Sequence, residues 1–225
     1  MIHPNMCTML AFITTDLCIS KELLQKALSD TVQDTYNMIS VDGDTSTNDT
    51  VLLLANGEAK NPEITEKNAD YERFKEALQE VNKKLAKAIA ADGEGATKLF
   101  TAIVEGASTT EKAKVLAKAI VTSNLTKAAM FGSDANWGRI LSAMGHAGVL
   151  FDPENVDLSF ESEAGTIDIL KNSVVTGYSE EKATEILSAG EICARVCIHE
   201  GSESAEAWGC DLTYDYVKIN ADYRS

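Results

Sequence analysis

The sequence predicts an α+β fold, and three observations lead to that class. Segments with a helical period and short apolar or alternating segments are mixed along the chain. They do not follow the regular strand–helix–strand rhythm that builds a fully parallel sheet. The chain has 225 residues, 44% hydrophobic and 24% charged, which is enough for one large core or two modest ones.

Two helices and four strands are predicted in the first half of the chain. The clearest helix is Asp70–Ala91, because its apolar residues recur at spacings of three and four. Ser20 is a favourable N-cap for the other helix, which runs to about Gln33. Apolar runs too short for helices predict the four strands, which are Met9–Ile13, Met38–Val41, Val51–Leu54 and Lys98–Glu105.

The second half begins with helices and continues with strands. A change of pattern near Gly106–Thr110 predicts a division into domains 1–108 and 109–225. Thr110 opens a helix to about Val121, and Asp134 is the predicted cap of a helix that ends near Met144. Strands are expected after Pro153, and apolar and polar residues alternate in Ile192–His199 and Ala207–Ile219.

Charge and cysteine content exclude several classes of function. With 20 Lys and Arg against 35 Asp and Glu, the net charge is −15, so nucleic acid and anionic membranes are not expected partners. No apolar run approaches the roughly 20 residues that span a bilayer. The five cysteines are an odd number without a C-x-x-C pair, which favours reduced thiols and a cytoplasmic protein.

Three patterns that suggest chemistry have simpler explanations. Gly93-Glu-Gly95 lacks the spacing of a Walker phosphate loop. Cys193, Cys197 and His199 share one strand face but spread over roughly 20 Å, too far for a zinc site, so packing is the better interpretation. His146 follows a glycine at a predicted helix end, where a capping or packing role is expected. No metal or cofactor is predicted.

Two other segments leave a functional role open. The eight residues Asp42–Asp49 are all polar or glycine and lie between two predicted strands, so they form either a surface turn or a binding loop. Thr8 precedes the first strand. A threonine hydroxyl needs an adjacent base to act as a nucleophile, and cleavage of the chain just before Thr8 would supply one in the freed α-amine.

Five segments in order resemble one family closely. They are Asn5–Phe12 (NMCTMLAF), Ser40–Asp49 (SVDGDTSTND), Asp92–Lys98 (DGEGATK), Gly132–Arg139 (GSDANWGR) and Ile219–Ser225 (INADYRS). Over essentially its whole length the chain resembles the C-terminal, or β, half of the ornithine acetyltransferases of arginine biosynthesis.

The resemblance implies a fold, a reaction and a partner. The fold would be the layered α/β/β/α sandwich that this family shares with self-processing β-aminopeptidases. A precursor cleaves itself before a threonine, and the α and β chains stay together, two of each in a heterotetramer. The threonine then takes acetyl from N²-acetyl-L-ornithine and passes it to L-glutamate by ping-pong transfer. No cofactor is implied, although some members also accept acetyl-CoA as the donor.

The resemblance also assigns roles to individual residues. Thr8 would be both the nucleophile and the cleavage site, and the scissile bond would be Cys7–Thr8, where the family usually has alanine before the threonine. Glu94 would contact the substrate through its α-amino group, because a carboxylate pairs with an ammonium. Asn220 and Ser225 match the last two substrate contacts, and serine keeps the hydroxyl of the more usual threonine.

One departure and two alternatives complete the prediction. In the family the upstream half supplies a Thr-Gly pair that stabilises the oxyanion and a substrate-binding lysine, and neither is in this sequence. The chain alone is therefore predicted to be inactive without its α chain. Arg139 and Arg224 are candidate partners for the substrate carboxylates. The alternatives are an N-terminal-nucleophile hydrolase or aminopeptidase, in which water removes the acyl group, and an inactive half that serves only as a scaffold.

Overall fold

The computed structural model describes residues 9–44 and 48–222, and these ranges contain nine strands and seven α-helices. The strands are β1 (Leu10–Thr15), β2 (Ile39–Ser40), β3 (Thr50–Ala55), β4 (Leu99–Ala107), β5 (Asp157–Ser162), β6 (Gly165–Lys171), β7 (Val174–Val175), β8 (Glu191–Cys197) and β9 (Glu203–Cys210). The helices are α1 (Lys21–Val32), α2 (Ala69–Ala91), α3 (Thr110–Thr122), α4 (Asn124–Phe131), α5 (Trp137–Gly145), α6 (Glu180–Leu187) and α7 (Tyr214–Asp222).

A seven-stranded mixed sheet forms the centre of the molecule, in the order β2-β9-β4-β8-β5-β6-β7. Its central strand β4 runs parallel to β8 and antiparallel to β9. Helix α3 packs on β4 and β9, and α6 packs on β5 and β6. Helix α2 contacts β9 on the other face, where Lys83 pairs with Glu206 and lies over the ring of Trp208. The mixed sheet between helices confirms the predicted α+β class.

A second, two-stranded sheet is made by β1 and β3, which run parallel. Ile13 and Leu53 on one face pack against the cluster of Ala27, Tyr71 and Leu78, contributed by α1 and α2. The opposite face carries four large apolar side chains that are between 42% and 61% exposed, namely Leu10, Phe12, Leu52 and Leu54. Parallel strands are normally covered on both faces, so this sheet has one open apolar side.

The long helices follow the predicted bounds because their capping residues are strong local signals. Ser20 accepts a hydrogen bond from the amide of Leu23 and begins α1. Asn68 accepts from the amides of Asp70 and Tyr71 and begins α2, and Thr109 caps α3 in the same way.

Two predictions in the second half are wrong, and two helices were not predicted. Helix α5 begins at Trp137 behind the cap Asn136, not behind Asp134. The alternation predicted over Ala207–Ile219 ends with β9 at Cys210, and residues from Tyr214 form α7. Helices α4 and α6 were not predicted either. All three missed helices have only eight or nine residues, so their period is too short to recognise.

The division at residue 108 stays a prediction. Strand β4 precedes residue 108 and pairs with β8, which follows it, so the central sheet contains strands from both predicted domains.

In the described parts of the chain, no helix is long and apolar enough to cross a membrane.

Candidate active site

The Glu94 carboxylate and the Asn220 amide lie together at the C-terminal end of α2. Glu94 follows the end of α2 in the turn that leads to β4, and Asn220 is on α7. The Asn220 side-chain Nδ2 donates to Glu94 Oε2 at 3.1 Å. The structure therefore brings two of the predicted substrate-binding residues into direct contact, although 126 positions separate them in the sequence.

Gly95 allows α7 to approach the turn closely. Its φ is +68°, and a Cβ atom there would lie 2.7 Å from the amide nitrogen of Tyr216. The Thr213 hydroxyl donates to the Gly95 carbonyl at 2.7 Å and accepts from the Tyr216 amide at 3.2 Å. Only glycine fits this combination of positive φ and backbone contact. The packing of α7 against the turn therefore requires a glycine next to Glu94.

The Asp211 carboxylate holds the other end of the same turn. It accepts hydrogen bonds from the Thr97 amide at 2.8 Å, the Thr97 hydroxyl at 2.5 Å and the Lys98 amide at 3.0 Å. Asp211 is buried just beyond the end of β9. A carboxylate with three such donors is a strong anchor, and it orients the turn that carries Glu94.

The polar loop that was predicted to be either a turn or a binding loop is tied to this site at both ends. Near its start, the Tyr216 hydroxyl of α7 donates to Asp42 Oδ2 at 2.9 Å. Burial and this bond to a carboxylate raise the pKa of Tyr216. At its end, Asp49 Oδ1 accepts from the Met9 amide at 2.8 Å. Met9 directly follows Thr8 in the sequence.

Lys98 connects a further resembling segment to the site. Its Nζ donates to the Met130 and Leu187 carbonyls, each at 2.7 Å, and to the Ser133 hydroxyl at 2.8 Å. Burial lowers the pKa of Lys98, and the nearby Asp211 partly opposes this shift. The DGEGATK and GSDANWGR segments are thus joined by one ammonium group.

Several predicted residues are not part of this contact network. Cys7, Thr8, Arg224 and Ser225 lie outside the described residues. Arg139 donates from Nη1 to the Leu125 carbonyl at 2.9 Å, so its guanidinium is used to hold α4 and α5.

The positions that were assigned to packing or capping do not all have such roles. His146 is the C-cap of α5, and its Nδ1 lies 2.7 Å from the Ser142 carbonyl. His199, predicted to share a strand face with Cys193 and Cys197, instead lies beyond the end of β8 with a φ of +51°. It is exposed, and its Nε2 lies 3.2 Å from Asp157 Oδ2. Burial raises the pKa of Cys193 to about 11. Among residues 9–44 and 48–222, no three His, Cys, Asp or Glu side chains are grouped to hold a metal ion.

Lys127, Asp211 and Tyr216 are absent from the predicted site. One signal for Lys127 was present in the sequence: it is the only charged residue in the largely apolar stretch Leu125–Phe131. Asp211 and Tyr216 had no comparable signal, because both lay in a segment predicted to be a strand.

Comparison with known proteins identifies the family. The model of the ArgJ family matches residues 1–225. The arginine biosynthesis bifunctional protein ArgJ 1 of Clostridium acetobutylicum is 55% identical over 225 residues, and ArgJ of Listeria monocytogenes is 52% identical over the same length. The crystal structure of the ArgJ protein of Bacillus halodurans aligns with a TM-score of 0.91 at 48% identity, covering 96% of this chain and 100% of that one.

This chain belongs to the ArgJ family.

The match confirms both the resemblance and the α+β sandwich that it implied. The chain spans about half the length of the curated ArgJ relatives, 55% of the C. acetobutylicum protein and 56% of the L. monocytogenes protein. The crystallised ArgJ chain, in contrast, is covered completely. A chain of about this length therefore exists as a folded ArgJ chain in a crystal.

Proposed function

We propose that this chain is the β part of a glutamate N-acetyltransferase of arginine biosynthesis, which moves acetyl from N²-acetyl-L-ornithine to L-glutamate. The observation that carries the proposal is the contact between Glu94 and Asn220, beside a loop whose other end binds the amide of Met9. A carboxylate–amide pair is suited to an amino-acid ammonium group, and Thr8 is the adjacent residue in the sequence.

The reaction would proceed in two acyl transfers through Thr8. After cleavage of Cys7–Thr8, the free α-amine of Thr8 takes the proton of its own hydroxyl. Oγ attacks the acetyl carbonyl, the amide C–N bond breaks, and ornithine leaves with the proton. The ammonium of glutamate gives one proton to the Thr8 α-amine, and the resulting amine attacks the threonyl ester. The ester C–O bond breaks, Oγ takes the second proton, and N-acetylglutamate leaves. Ser225 would join Glu94 and Asn220 in binding the amino-acid part of each substrate.

The partner would be the rest of the family protein, acting as the α chain. Curated relatives are nearly twice as long as this chain, and the β1–β3 sheet has an open apolar face. One donor that stabilises the oxyanion is worth about 10²–10³ in rate, and in this proposal a Thr-Gly pair of the α chain supplies the donors. The full assembly would contain two α and two β chains.

Three further properties are part of the proposal. The enzyme would need no cofactor, and acetyl-CoA would be a second acetyl donor if it is accepted. The site would work in the cytoplasm, which agrees with the unpaired thiols of Cys18, Cys193, Cys197 and Cys210.

The decisive experiment measures the intact mass of the β chain in the assembled protein. Incubation with N²-acetylornithine but without glutamate should give a chain that begins at Thr8 and is heavier by one acetyl group. Adding glutamate should remove the extra mass. The variant T8A is the control, and it should neither be cleaved nor gain mass.

The two alternatives give different results in the same experiment. A hydrolase would lose the acetyl group at the same rate with and without glutamate. A scaffold would never gain mass, and the proposal would then be wrong.

A further inference from the structure

Lys127 is a buried cation that the proposed reaction does not use. It lies in the middle of α4, and its exposed fraction is 1%. Its Nζ donates to the main-chain oxygen of Val41, to that of Cys210 at 2.7 Å, and approaches Cys210 Sγ at 3.4 Å. In the described part of the chain, no carboxylate lies within ion-pair distance of this ammonium. Burial of such a group is costly, and the two carbonyls would lose their donor if an apolar side chain replaced it.

The two carbonyls that Lys127 binds share one property: each lies directly before a segment of the candidate site. Val41 follows β2 and precedes Asp42, the residue that binds Tyr216. Cys210 ends β9 and precedes Asp211, the residue that binds Thr97 and Lys98. One ammonium group therefore fixes the starting points of both segments relative to α4.

The turn that carries Glu94 also packs against these two residues. A Cβ atom at Gly93 would lie 2.8 Å from Cys210 Sγ and 3.2 Å from the side chain of Val41. The main-chain oxygen of Lys127 also accepts a hydrogen bond from the Leu212 amide at 3.2 Å. The polar loop, the Glu94 turn and the segment after β9 thus converge around Lys127.

We propose that Lys127 is a positioning residue for acetyl transfer. It contacts main-chain atoms and the Cys210 thiol, so it acts by holding Asp42 and Asp211, and through them the Glu94 turn, in one arrangement. Displacement of a binding group by about 1 Å can lower a rate by about 10²-fold. This inference rests on the proposed function for its kinetic part, and its structural part can be tested separately.

The test compares K127M with K118M in the full-length protein with both halves. Lys118 is a suitable control because its Nζ also donates to a main-chain carbonyl, that of Asn37 at 2.9 Å, which precedes β2 and is not one of the two carbonyls that Lys127 binds. For K127M we expect kcat per folded molecule to fall 10- to 100-fold, and Tm to fall as well, because the buried carbonyls of Val41 and Cys210 lose their donor. Amide hydrogen exchange should become faster at Asp44, whose amide donates to Asp42 Oδ1 at 3.0 Å, and at Thr97 and Lys98, whose amides donate to Asp211. K118M should keep kcat within twofold and leave these amides unchanged.

Three outcomes separate the alternatives. A lower Tm with unchanged kcat per folded molecule would make Lys127 purely structural and overturn the proposal. Unchanged exchange at the three amides would also overturn it. If the wild-type protein had no acetyltransferase activity, the proposed function alone would be wrong, and the exchange measurement would still decide whether Lys127 holds the three segments. If K127M does not fold, K127Q replaces it, because the glutamine side-chain NH2 can still donate to a carbonyl. The same kinetic and exchange measurements on K127Q then decide whether the proposal holds.

Discussion

At the scale of the residue, the proposed function predicts that recognition of the substrate depends on the charge of Glu94. The variant E94Q keeps the shape and the acceptor for Asn220 Nδ2 but removes the charge that would face the ammonium of glutamate. A hydrogen bond to a charged group contributes about 1.5–3 kcal/mol, so we expect KM for glutamate to rise about 10- to 100-fold. Steady-state kinetics with varied glutamate measure this. The exposed Glu58 provides the control E58Q, and an equal effect in both variants would contradict the assignment.

Sequence patterns predicted some residues of the site and not others for a physical reason. Glu94 and Asn220 lie in segments that resemble the family closely, and a resemblance transfers contacts between distant positions. Lys127 and Asp211 act on backbone atoms from separate elements. No local period encodes which carbonyl a buried ammonium will reach, because that depends on how β2, β9 and α4 pack.

At the scale of the element, helix α7 is held by few contacts, because none of its residues is buried. The bond from Tyr216 to Asp42 is one of them, so Y216F should loosen the helix. We expect the amides of Tyr214–Asp222 to exchange about tenfold faster, with Tm lowered by less than about 3 °C, since a partly exposed hydrogen bond contributes about 1 kcal/mol. Amide hydrogen exchange measured by mass spectrometry on Y216F and the wild-type protein tests this prediction.

Tyr214, two positions earlier on the same helix, supplies the matched control. Its ring lies edge-to-face with Phe131 at 5.6 Å and would be kept in Y214F. Equal exchange rates in the two variants would mean that the Tyr216 hydroxyl does not hold the helix.

Helix α3 carries a half-buried lysine, Lys118, with a consequence for pH. Burial lowers the pKa of Lys118 to about 8, from 10.5. Between these values the unfolded chain binds more protons than the folded one, so this group makes the free energy of unfolding rise with pH. Below about pH 8 the penalty of burying the charge is fully present.

The variant K118M should remove this pH dependence. We expect the stability gained from the substitution to be largest at pH 8 and to shrink toward pH 10, measured by urea unfolding at pH 8, 9 and 10. K84M, at an exposed position of α2, is the control. A gain that does not change over this range would contradict the shifted pKa.

The long helices were predictable, and the short ones were not, because the two kinds differ in how they are stabilised. Helix α2 has 23 residues and a cap at Asn68, so its period and its start are local properties. Helix α7 has nine residues and is held by Thr213, Tyr216 and Asn220 through contacts with distant turns. Tertiary contacts decided its conformation against an alternating pattern typical of a strand.

At the scale of the whole molecule, the open face of the β1–β3 sheet is an apolar surface that nothing in the described part of this chain covers. Four large apolar side chains are exposed there on parallel strands, and β1 begins two residues after Thr8 in the sequence. Their burial by a partner would be worth about 25 cal/mol per Å² of apolar area. Assembly with the proposed α chain should therefore depend on this face.

The double variant F12K/L54K tests that dependence, because it places two charges on the open face without changing the side packed on α1 and α2. Co-expressed with the upstream half, it should yield at least tenfold less two-chain complex by native mass spectrometry, because each buried lysine would carry an uncompensated charge. L150K, at a side chain that is 92% exposed elsewhere, should assemble normally. If F12K/L54K assembles as well as L150K, the α chain does not cover this sheet. Expressed without a partner, the double variant should aggregate less than the wild-type chain, since two of the four exposed apolar residues are gone.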